Sequence, residues 1–228
     1  MNENVKKISA VLKGKGNLKQ HVYGVTLDRF EKMKDIIGNI ASDLLDDKSD
    51  EDLYNVEYKE DGRFEARIKF AGDVLIFNMH SNIFGFENEA YVHQTNYVKE
   101  DTSRQFCGMI EIYNFLADSF KYNRVYDVGY LIARIFINKD GHFFVEGEEQ
   151  LGFLYKDFGN MILTDEIIAM IIENAIMYSI DFDLWVPKYE QVKQLSVGQK
   201  IQQQGNTSHL TGKRVGFEFT NLHKKLDE

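Results

Sequence analysis

The sequence predicts one α+β domain: a curved, mostly antiparallel sheet of about six or seven strands with two main helices packed on one face. Three observations support this fold class. Two segments have apolar residues at helical spacing, several short segments alternate apolar and polar residues, and Asp-Gly turn pairs separate some of those segments. We expect a domain at residues 26–197, a loosely ordered basic segment at residues 1–25, and a mobile loop with a C-terminal edge segment at residues 198–228.

The first predicted helix begins near Leu27. Apolar residues recur at spacings of three and four and so share one stripe of a helix; they are Leu27, Phe30, Met33, Ile37, Ile40 and Leu44. Thr26 precedes this stripe and is suited to cap the helix, and Asp28 lies in the first turn, where the helix dipole favours a negative charge. A helix with one apolar stripe covers a flat surface, which the next segments supply.

Three strands are predicted after this helix. In residues 63–70 (RFEARIKF) apolar and charged side chains alternate, as in a half-buried strand with one face in water. Residues 54–58 alternate in the same way, and Asp61-Gly62 is a turn pair suited to positive φ, which predicts a hairpin. In VLIFNMH both alternating sets are apolar, so we expect a central strand there.

The remaining strands are predicted in the second half of the chain. We expect strands over residues 109–113 and 129–137, then a turn at Asp140-Gly141 that leads into a strand in HFFVEG. The segment LGFLYKDF can add one strand more. These segments complete the predicted antiparallel sheet.

The second predicted helix lies in LTDEIIAMIIENAIMYSI. Thr164 can cap this helix, and Asp165 and Glu166 fill its first turn. Apolar residues leave only a narrow polar edge near Glu166 and Glu173. We therefore expect this helix to be buried on most sides, against the curved sheet.

Composition restricts the classes of partner and the compartment. The formal net charge of −9 and the sequence pI of about 5.2 disfavour nucleic acid and anionic lipid as partners. We interpret the lysines between residues 6 and 19 and the acidic run at residues 43–52 as a solvated tail and a solvated loop. The single Cys107 fits a reducing compartment, and no apolar run suits a signal peptide or a membrane span, so we expect a cytoplasmic protein.

Common catalytic and metal-binding motifs are absent from the sequence. It contains no His-Glu-x-x-His, Cys-x-x-Cys or Gly-x-Ser-x-Gly motif. Residues 205–214 lack the glycine spacing of a phosphate-binding loop, and no hydroxyl residue follows Lys213. In the acidic run, Glu51 occupies the place where a calcium loop needs glycine. We therefore predict no cofactor, no metal site and no catalytic residue.

An enzyme is the alternative interpretation. His80 ends the predicted central strand and His93 lies in the loop after it, and with Asp118 or Asp127 they supply the side chains of a metal or general-base cluster. Glu57 and Lys59 also match the Glu-x-Lys pair of many nucleases, but both residues fit the wet face of an ordinary strand. This alternative is a metal-dependent hydrolase or nuclease, and a non-catalytic role is preferred to it.

Polar residues are concentrated between the apolar segments at residues 109–113 and 129–137. Asn, Asp and Ser side chains bond local backbone groups, so a hydrogen-bonded corner with a short helix at residues 115–122 explains them without a ligand. Aromatic neighbours leave a second interpretation open, a pocket wall that stacks on a small ligand and forms hydrogen bonds with it. The candidate ligand-binding residues are Tyr113, Asp118, Arg124, Tyr130 and Arg134.

Tyrosine and phenylalanine are abundant on both faces of the predicted strands. One face can pack on the helices, and an exposed aromatic patch on the other would be typical of a binding or oligomer surface. We therefore expect a binding or regulatory module that engages a protein partner or small ligand through this face or through the hollow between sheet and helix. A structural homo-oligomer subunit is a further alternative.

Overall fold

The computed structural model describes residues 2–184, 186–198 and 200. The helices are α1 (Glu3–Val11), α2 (Asn17–Asp46), α3 (Tyr91–Gln94), α4 (Asn96–Glu100), α5 (Ala117–Lys121), α6 (Glu149–Leu154), α7 (Asp165–Ile180) and α8 (Tyr189–Val192). The strands are β1 (Val56–Glu60), β2 (Glu65–Phe70), β3 (Asp73–Met79), β4 (Cys107–Leu116), β5 (Tyr130–Asn138) and β6 (Phe143–Gly147). The edge segment expected near the C-terminus lies outside the described residues.

The six strands form one sheet in the order β1-β2-β3-β4-β5-β6, and each strand pairs antiparallel with the next along the chain. The expected turns lie between β1 and β2 and between β5 and β6, with Gly62 at φ +83° and Gly141 at φ +76°. Glycine adopts such positive φ values without a Cβ penalty. This sheet and its two long helices confirm the predicted α+β fold class.

Helices α2 and α7 cover one face of the sheet, which we call the near face. Phe30, Met33 and Ile37 of α2 are fully buried, as are Ile168 and Ile172 of α7. All five belong to one apolar core with side chains from the sheet. Burial of each such side chain contributes about 1.5–3 kcal/mol relative to an exposed one, so this contact fixes both helices on the sheet.

Helix α2 begins earlier than the sequence predicts. The chain is helical from Glu3 onward, with a π-helical turn at Leu12–Gly16, so the segment expected to be loosely ordered is helical. The prediction that Thr26 caps the helix is wrong. Thr26 lies buried inside α2, and its Oγ1 donates to the carbonyl oxygen of Val22 at 2.8 Å. Val22 is also buried, so the core-facing stripe starts one turn before the apolar spacing indicates.

Helix α7 has the predicted cap but a more exposed outer side. Thr164 Oγ1 accepts a hydrogen bond from the backbone N–H of Ile167 at 3.4 Å. Met170 and Met177 are exposed, so the expectation that the helix is buried on most sides is wrong. The prediction of a possible seventh strand in LGFLYKDF is also wrong, because the first part of that segment belongs to α6. One backbone contact with the sheet remains: the carbonyl of Tyr155 accepts a hydrogen bond from Val145 N of β6 at 2.8 Å.

The opposite face of the sheet, the far face, is partly covered by residues 80–106. This segment packs against Phe136 of β5 and Phe144 of β6, which are therefore buried. The buried residues of this second apolar cluster are Val92, Val98, Cys107, Met109, Phe136, Phe144 and Phe158. Part of the aromatic face expected to be exposed is thus covered by the chain itself.

Polar contacts fasten the covering segment to the β5–β6 turn. The buried Asn138 side chain donates from Nδ2 to Tyr97 Oη at 3.0 Å, and its Oδ1 accepts from the backbone N–H groups of Asp140 and His142. Burial raises the pKa of Tyr97 to about 12, so its hydroxyl stays protonated and donates to Asp140 Oδ2 at 3.1 Å. The other end of the far face, where β4 leads into β5, is not reached by this network.

We expect Gly108→Ala to destabilise the protein because helix α2 lies close to β4 at this position. A Cβ atom on Gly108 would lie 2.1 Å from Thr26 Oγ1 and 2.7 Å from Thr26 Cβ. Overpacking of this kind costs about 1–3 kcal/mol. Gly72→Ala is the matched control, because no atom lies within 4 Å of its added Cβ. Equal free energies of unfolding for the two variants in chemical denaturation would contradict this close contact.

Candidate functional site

The β4–β5 loop (residues 117–129) lies at the end of the sheet opposite residues 80–106. It begins with the short helix α5, at the position where the sequence predicts a short helix. Its ends are close together, because Asn114 of β4 pairs with Tyr130 of β5. Compact surface loops with neighbouring ends are often functional elements, so this loop is the starting point of the candidate site.

Backbone hydrogen bonds give the loop a defined shape. The N–H of Tyr122 donates to the carbonyl of Asp118 at 3.0 Å, and the N–H of Arg124 donates to the carbonyl of Ser119 at 2.8 Å. Asn123, between the two donors, has φ +48°, a left-handed conformation that asparagine adopts more readily than most residues. The predicted hydrogen-bonded corner is therefore present.

The interior of the loop is polar. Ser119 Oγ donates to Asp127 Oδ2 at 2.6 Å, and Arg124 Nη1 lies 3.9 Å from the same oxygen. The Arg124 and Asp127 side chains are only 11% and 6% exposed, so salt screens this ion pair less than a surface pair. These three side chains connect the two halves of the loop.

Aromatic packing joins the loop to the far face. The ring of Phe115, on β4, meets the ring of Phe120 edge to face, with centroids 5.4 Å apart. Gly129 makes room for this ring, because a Cβ atom at that position would lie 2.2 Å from carbon atoms of Phe115. Aromatic packing therefore holds the base of the loop, while hydrogen bonds hold its interior.

The outside of the loop is apolar. Tyr126, Val128 and Val125 are 82%, 71% and 67% exposed. Together with neighbouring side chains they form what we call the loop surface, which comprises Phe120, Tyr122, Val125, Tyr126, Val128 and Leu131. A group of exposed apolar side chains on one loop marks an interaction site more often than isolated ones do.

Two predicted ligand-binding residues lie on the uncovered part of the far face. Tyr113 pairs with Leu131 of the loop surface, and its Oη lies 3.4 Å from Glu111 Oε1. Burial and the Glu111 carboxylate raise the pKa of Tyr113, so its hydroxyl is protonated at neutral pH and donates to Glu111. Arg134 lies opposite Glu111 in the sheet and forms an ion pair with Glu146.

The other three predicted residues lie elsewhere. Asp118 is exposed on the loop, and Arg124 belongs to the loop interior. Tyr130 lies on the near face, with its ring centroid 6.4 Å from that of Phe182, just after α7. The sheet therefore separates Tyr130 from the two far-face residues, and the five do not line one cavity. A ligand-binding role for them stays a prediction.

A register shift explains the position of Tyr130. Strict alternation along β5 would place Tyr130 on the same face as Arg134. The β4–β5 pairing shifts between Ile112 and Tyr113, so Leu131 takes the far-face position instead. A β-bulge of this kind re-aims the side chains that follow it, and the strand sequence alone carried no signal for it.

Two depressions of the described surface lie along α2, away from the predicted residues. Each has a volume of about 400 Å³ and is open to solvent. One is lined by Lys19, Gln20, Tyr23, Ser81, Asn82 and Ile83, and the other by Gln20, His21, Gly24, Val25, Asp28 and Arg29. Small-molecule sites enclose most of their ligand, and neither depression does so.

The histidines of the enzyme alternative interact with nearby backbone groups. His80 Nδ1 accepts from the N–H of Asn82 at 3.1 Å, and His93 Nε2 lies 3.2 Å from the carbonyl oxygen of Phe86. Strand β4, ten residues long, separates this segment from Asp118, a distance of about 33 Å. Across residues 2–184, 186–198 and 200, no three His, Cys, Asp or Glu residues are grouped as a metal site requires.

Comparison with known proteins found no protein-family model, curated protein or solved structure that matches this chain. In the described part of the chain, no helix combines the length and the apolar character needed to cross a membrane.

Sequence reasoning identified the polar half of the loop and interpreted its aromatic side chains as a pocket wall, but it did not predict that the apolar half is exposed. Val125, Tyr126 and Val128 lie in NRVYDVG, which has neither helical nor strand periodicity, so spacing could not separate exposed from buried side chains. A signal was present in Ser119 and Asp127. If these polar residues meet inside a short loop, their apolar neighbours must point outward.

We expect Asp127→Asn to loosen the loop, because it removes the charge that faces Arg124 and weakens the bond from Ser119. Loss of a charge-assisted hydrogen bond costs about 1.5–3 kcal/mol, so trypsin cleavage after Lys121 and Arg124 should become at least about tenfold faster. Asp118→Asn is the matched control at an exposed position. Equal cleavage rates for both variants would show that the polar interior does not hold the loop.

Proposed function

We propose that this protein is a non-catalytic binding module that holds a protein partner against the loop surface. The observation that carries the proposal is the arrangement of the β4–β5 loop, with Ser119, Arg124 and Asp127 inside and apolar side chains outside. The hydrophobic effect opposes this arrangement in an isolated molecule. A partner that covers the exposed apolar side chains would remove them from water.

The shape of the loop surface favours a protein over a small ligand. Tyr126 and Val128 flank Asp127 and protrude into solvent, and no side chain of the loop surface lines either of the depressions described above. Small ligands bind in concave sites that enclose them, whereas a protruding aromatic side chain fits an apolar groove on another protein. Tyrosine is among the residues that dominate the binding energy of protein interfaces.

The fixed shape of the loop supports binding. A loop that is already ordered loses less conformational entropy when it binds than a loop that must first fold. The bond between Ser119 and Asp127 and the packing of Phe115 on Phe120 supply this order before a partner arrives.

The far-face residues beside the loop supply a polar border for the same surface. Tyr113 adjoins the loop surface through Leu131, and the Glu111 and Arg134 side chains lie next to it. Protein interfaces commonly combine an apolar centre with a polar and charged border. We therefore assign Tyr113 and Arg134 to the edge of the partner site.

We place this activity in the cytoplasm. Cys107 is the single cysteine of the chain and is fully buried, and burial raises the pKa of its thiol. A buried, protonated thiol is inert, and a fold without disulfides suits a reducing compartment.

We expect the double variant Val125→Ser, Tyr126→Ser to lose partner binding and keep its fold, because both side chains are exposed. Phe153→Ser is the matched control, since it removes an equally exposed aromatic side chain from α6. Affinity purification with quantitative mass spectrometry should find a protein that the wild type and the control capture equally. The double variant should capture it at least about tenfold less.

Two further measurements make this result decisive. The free energy of unfolding of the double variant should stay within about 0.5 kcal/mol of the wild type. The captured protein, once purified, should bind the wild type and the control with equal affinity in calorimetry. If all three proteins capture the same partners in the same amounts, the loop surface is not the binding site.

A further inference from the structure

Helices α1 and α2 form one continuous rod that extends beyond the sheet. The rod consists of α1, the π-helical turn and α2, with nine, five and thirty residues, and is about 66 Å long. Helix α1 contributes no buried residue. The N-terminal part of the rod is therefore held away from the core.

Helix α1 and the turn after it expose apolar side chains at helical spacing. Val5, Ile8, Val11 and Leu12 are each between 45% and 63% exposed. Spacings of three and four place such residues on one side of a helix. The rod thus carries an apolar stripe at its N-terminal end.

The two ends of the rod have opposite charge. Residues 3–19 contain five lysines and one glutamate, a net charge of +4, and we call this part the basic end. Residues 43–52 contain six acidic residues and one lysine, a net charge of −5, and we call this part the acidic end. The acidic end also exposes Leu45 and the neighbouring Leu53, which is 98% exposed.

The two ends cannot meet within one molecule. Residue 11, the midpoint of the basic end, and Asp46, where α2 ends, are separated by about 53 Å of helix. Pairing of two basic ends with each other is opposed by their like charge. The basic end and the acidic end both expose apolar side chains and carry opposite charges. They can therefore pair with each other only between two molecules.

We propose that two copies of this chain pair through their rods in antiparallel orientation. The basic end of each copy lies against the acidic end of the other, so the contact is made twice around a two-fold axis. Such an isologous arrangement is the most common symmetry of soluble oligomers. The apolar stripe of α1 then packs near Leu45 and Leu53 of the second copy, flanked by opposite charges.

The middle of the rod is shaped for a close crossing. Gly24 lies near the midpoint between Glu3 and Asp46, and no atom lies within 4 Å of a Cβ atom placed on it. One of the open depressions surrounds this glycine. A second helix can approach there to the usual interaxial distance of about 8–10 Å.

Two charge-reversal variants test the pairing in sedimentation velocity experiments on the full chain. The combined changes Lys6→Glu, Lys7→Glu and Lys13→Glu take the basic end from +4 to −2, so both ends are then acidic. The combined changes Asp46→Lys, Asp47→Lys and Asp50→Lys take the acidic end from −5 to +1, so both ends are then basic. These changes are compatible with the helix, because negative charge suits its N-terminus and positive charge its C-terminus. We expect the wild type to sediment as a dimer of 26.5 kDa chains and each variant alone to dissociate at least about tenfold more readily.

An equimolar mixture of the two variants should restore the dimer. At one contact of the mixed pair, residues 3–19 of the Lys→Glu variant, now acidic, face residues 43–52 of the Asp→Lys variant, now basic. At the other contact, the unchanged basic end of the Asp→Lys variant faces the unchanged acidic end of the Lys→Glu variant. The control variant Lys99→Glu, Lys156→Glu, Lys188→Glu changes the net charge of the protein as much as the Lys→Glu variant of the basic end does, at exposed positions outside the rod, and should leave the dimer intact.

Several results would overturn the pairing. The first is a wild type that is monomeric at 100 µM (~2.7 mg/ml) in 0.1 M salt, because a specific dimer assembles at that protein concentration. Failure of the mixture to dimerise would do the same. Binding of the wild type to vesicles that contain phosphatidylserine, without self-association, would assign α1 to a membrane surface instead. The rod is separate from the loop surface, so this test and the partner test fail or succeed independently.

Discussion

The contact between helix α2 and the near face determines where every exposed part of this protein lies. Thr26 packs against Gly108 of β4, and the buried stripe of α2 continues through Phe30 and Ile37 toward β1. The core needs only part of the helical rod, so α1 extends past the sheet with its apolar side chains in water. Residues 80–106 cover one end of the far face, and the β4–β5 loop lies at the other end.

The β4–β5 loop reverses the usual distribution of polar and apolar side chains. A partly buried ion pair is weak evidence for stability, because desolvation offsets much of its attraction. The pair of Arg124 and Asp127 is better understood as a device that fixes one loop shape. That shape keeps Tyr126 and Val128 outside, where the fold itself gains nothing from them. The proposed partner would supply the physical reason for such an arrangement, because it would cover these side chains.

Local signals account for what the sequence predicted. Alternation and Asp-Gly turns identified the strands, and Thr164 identified the start of α7, because each feature acts on its own neighbours. Long-range features were missed. Thr26 resembled a cap although it is bonded inside the helix, and residues 80–106 cover the far face without any period. In the candidate site, the polar corner was predictable, whereas the shift between Ile112 and Tyr113, which turns Tyr130 to the near face, was not.

Partner binding as proposed depends on a loop that is ordered before any partner binds. Amide hydrogen exchange of the protein alone, resolved by NMR, measures this order directly. We expect the N–H groups of Tyr122, Arg124 and Asp127, which donate within the loop, to exchange at least about 100-fold more slowly than in an unstructured peptide. Exchange of these three amides at the rates of an unstructured chain would show that the loop is not ordered before binding.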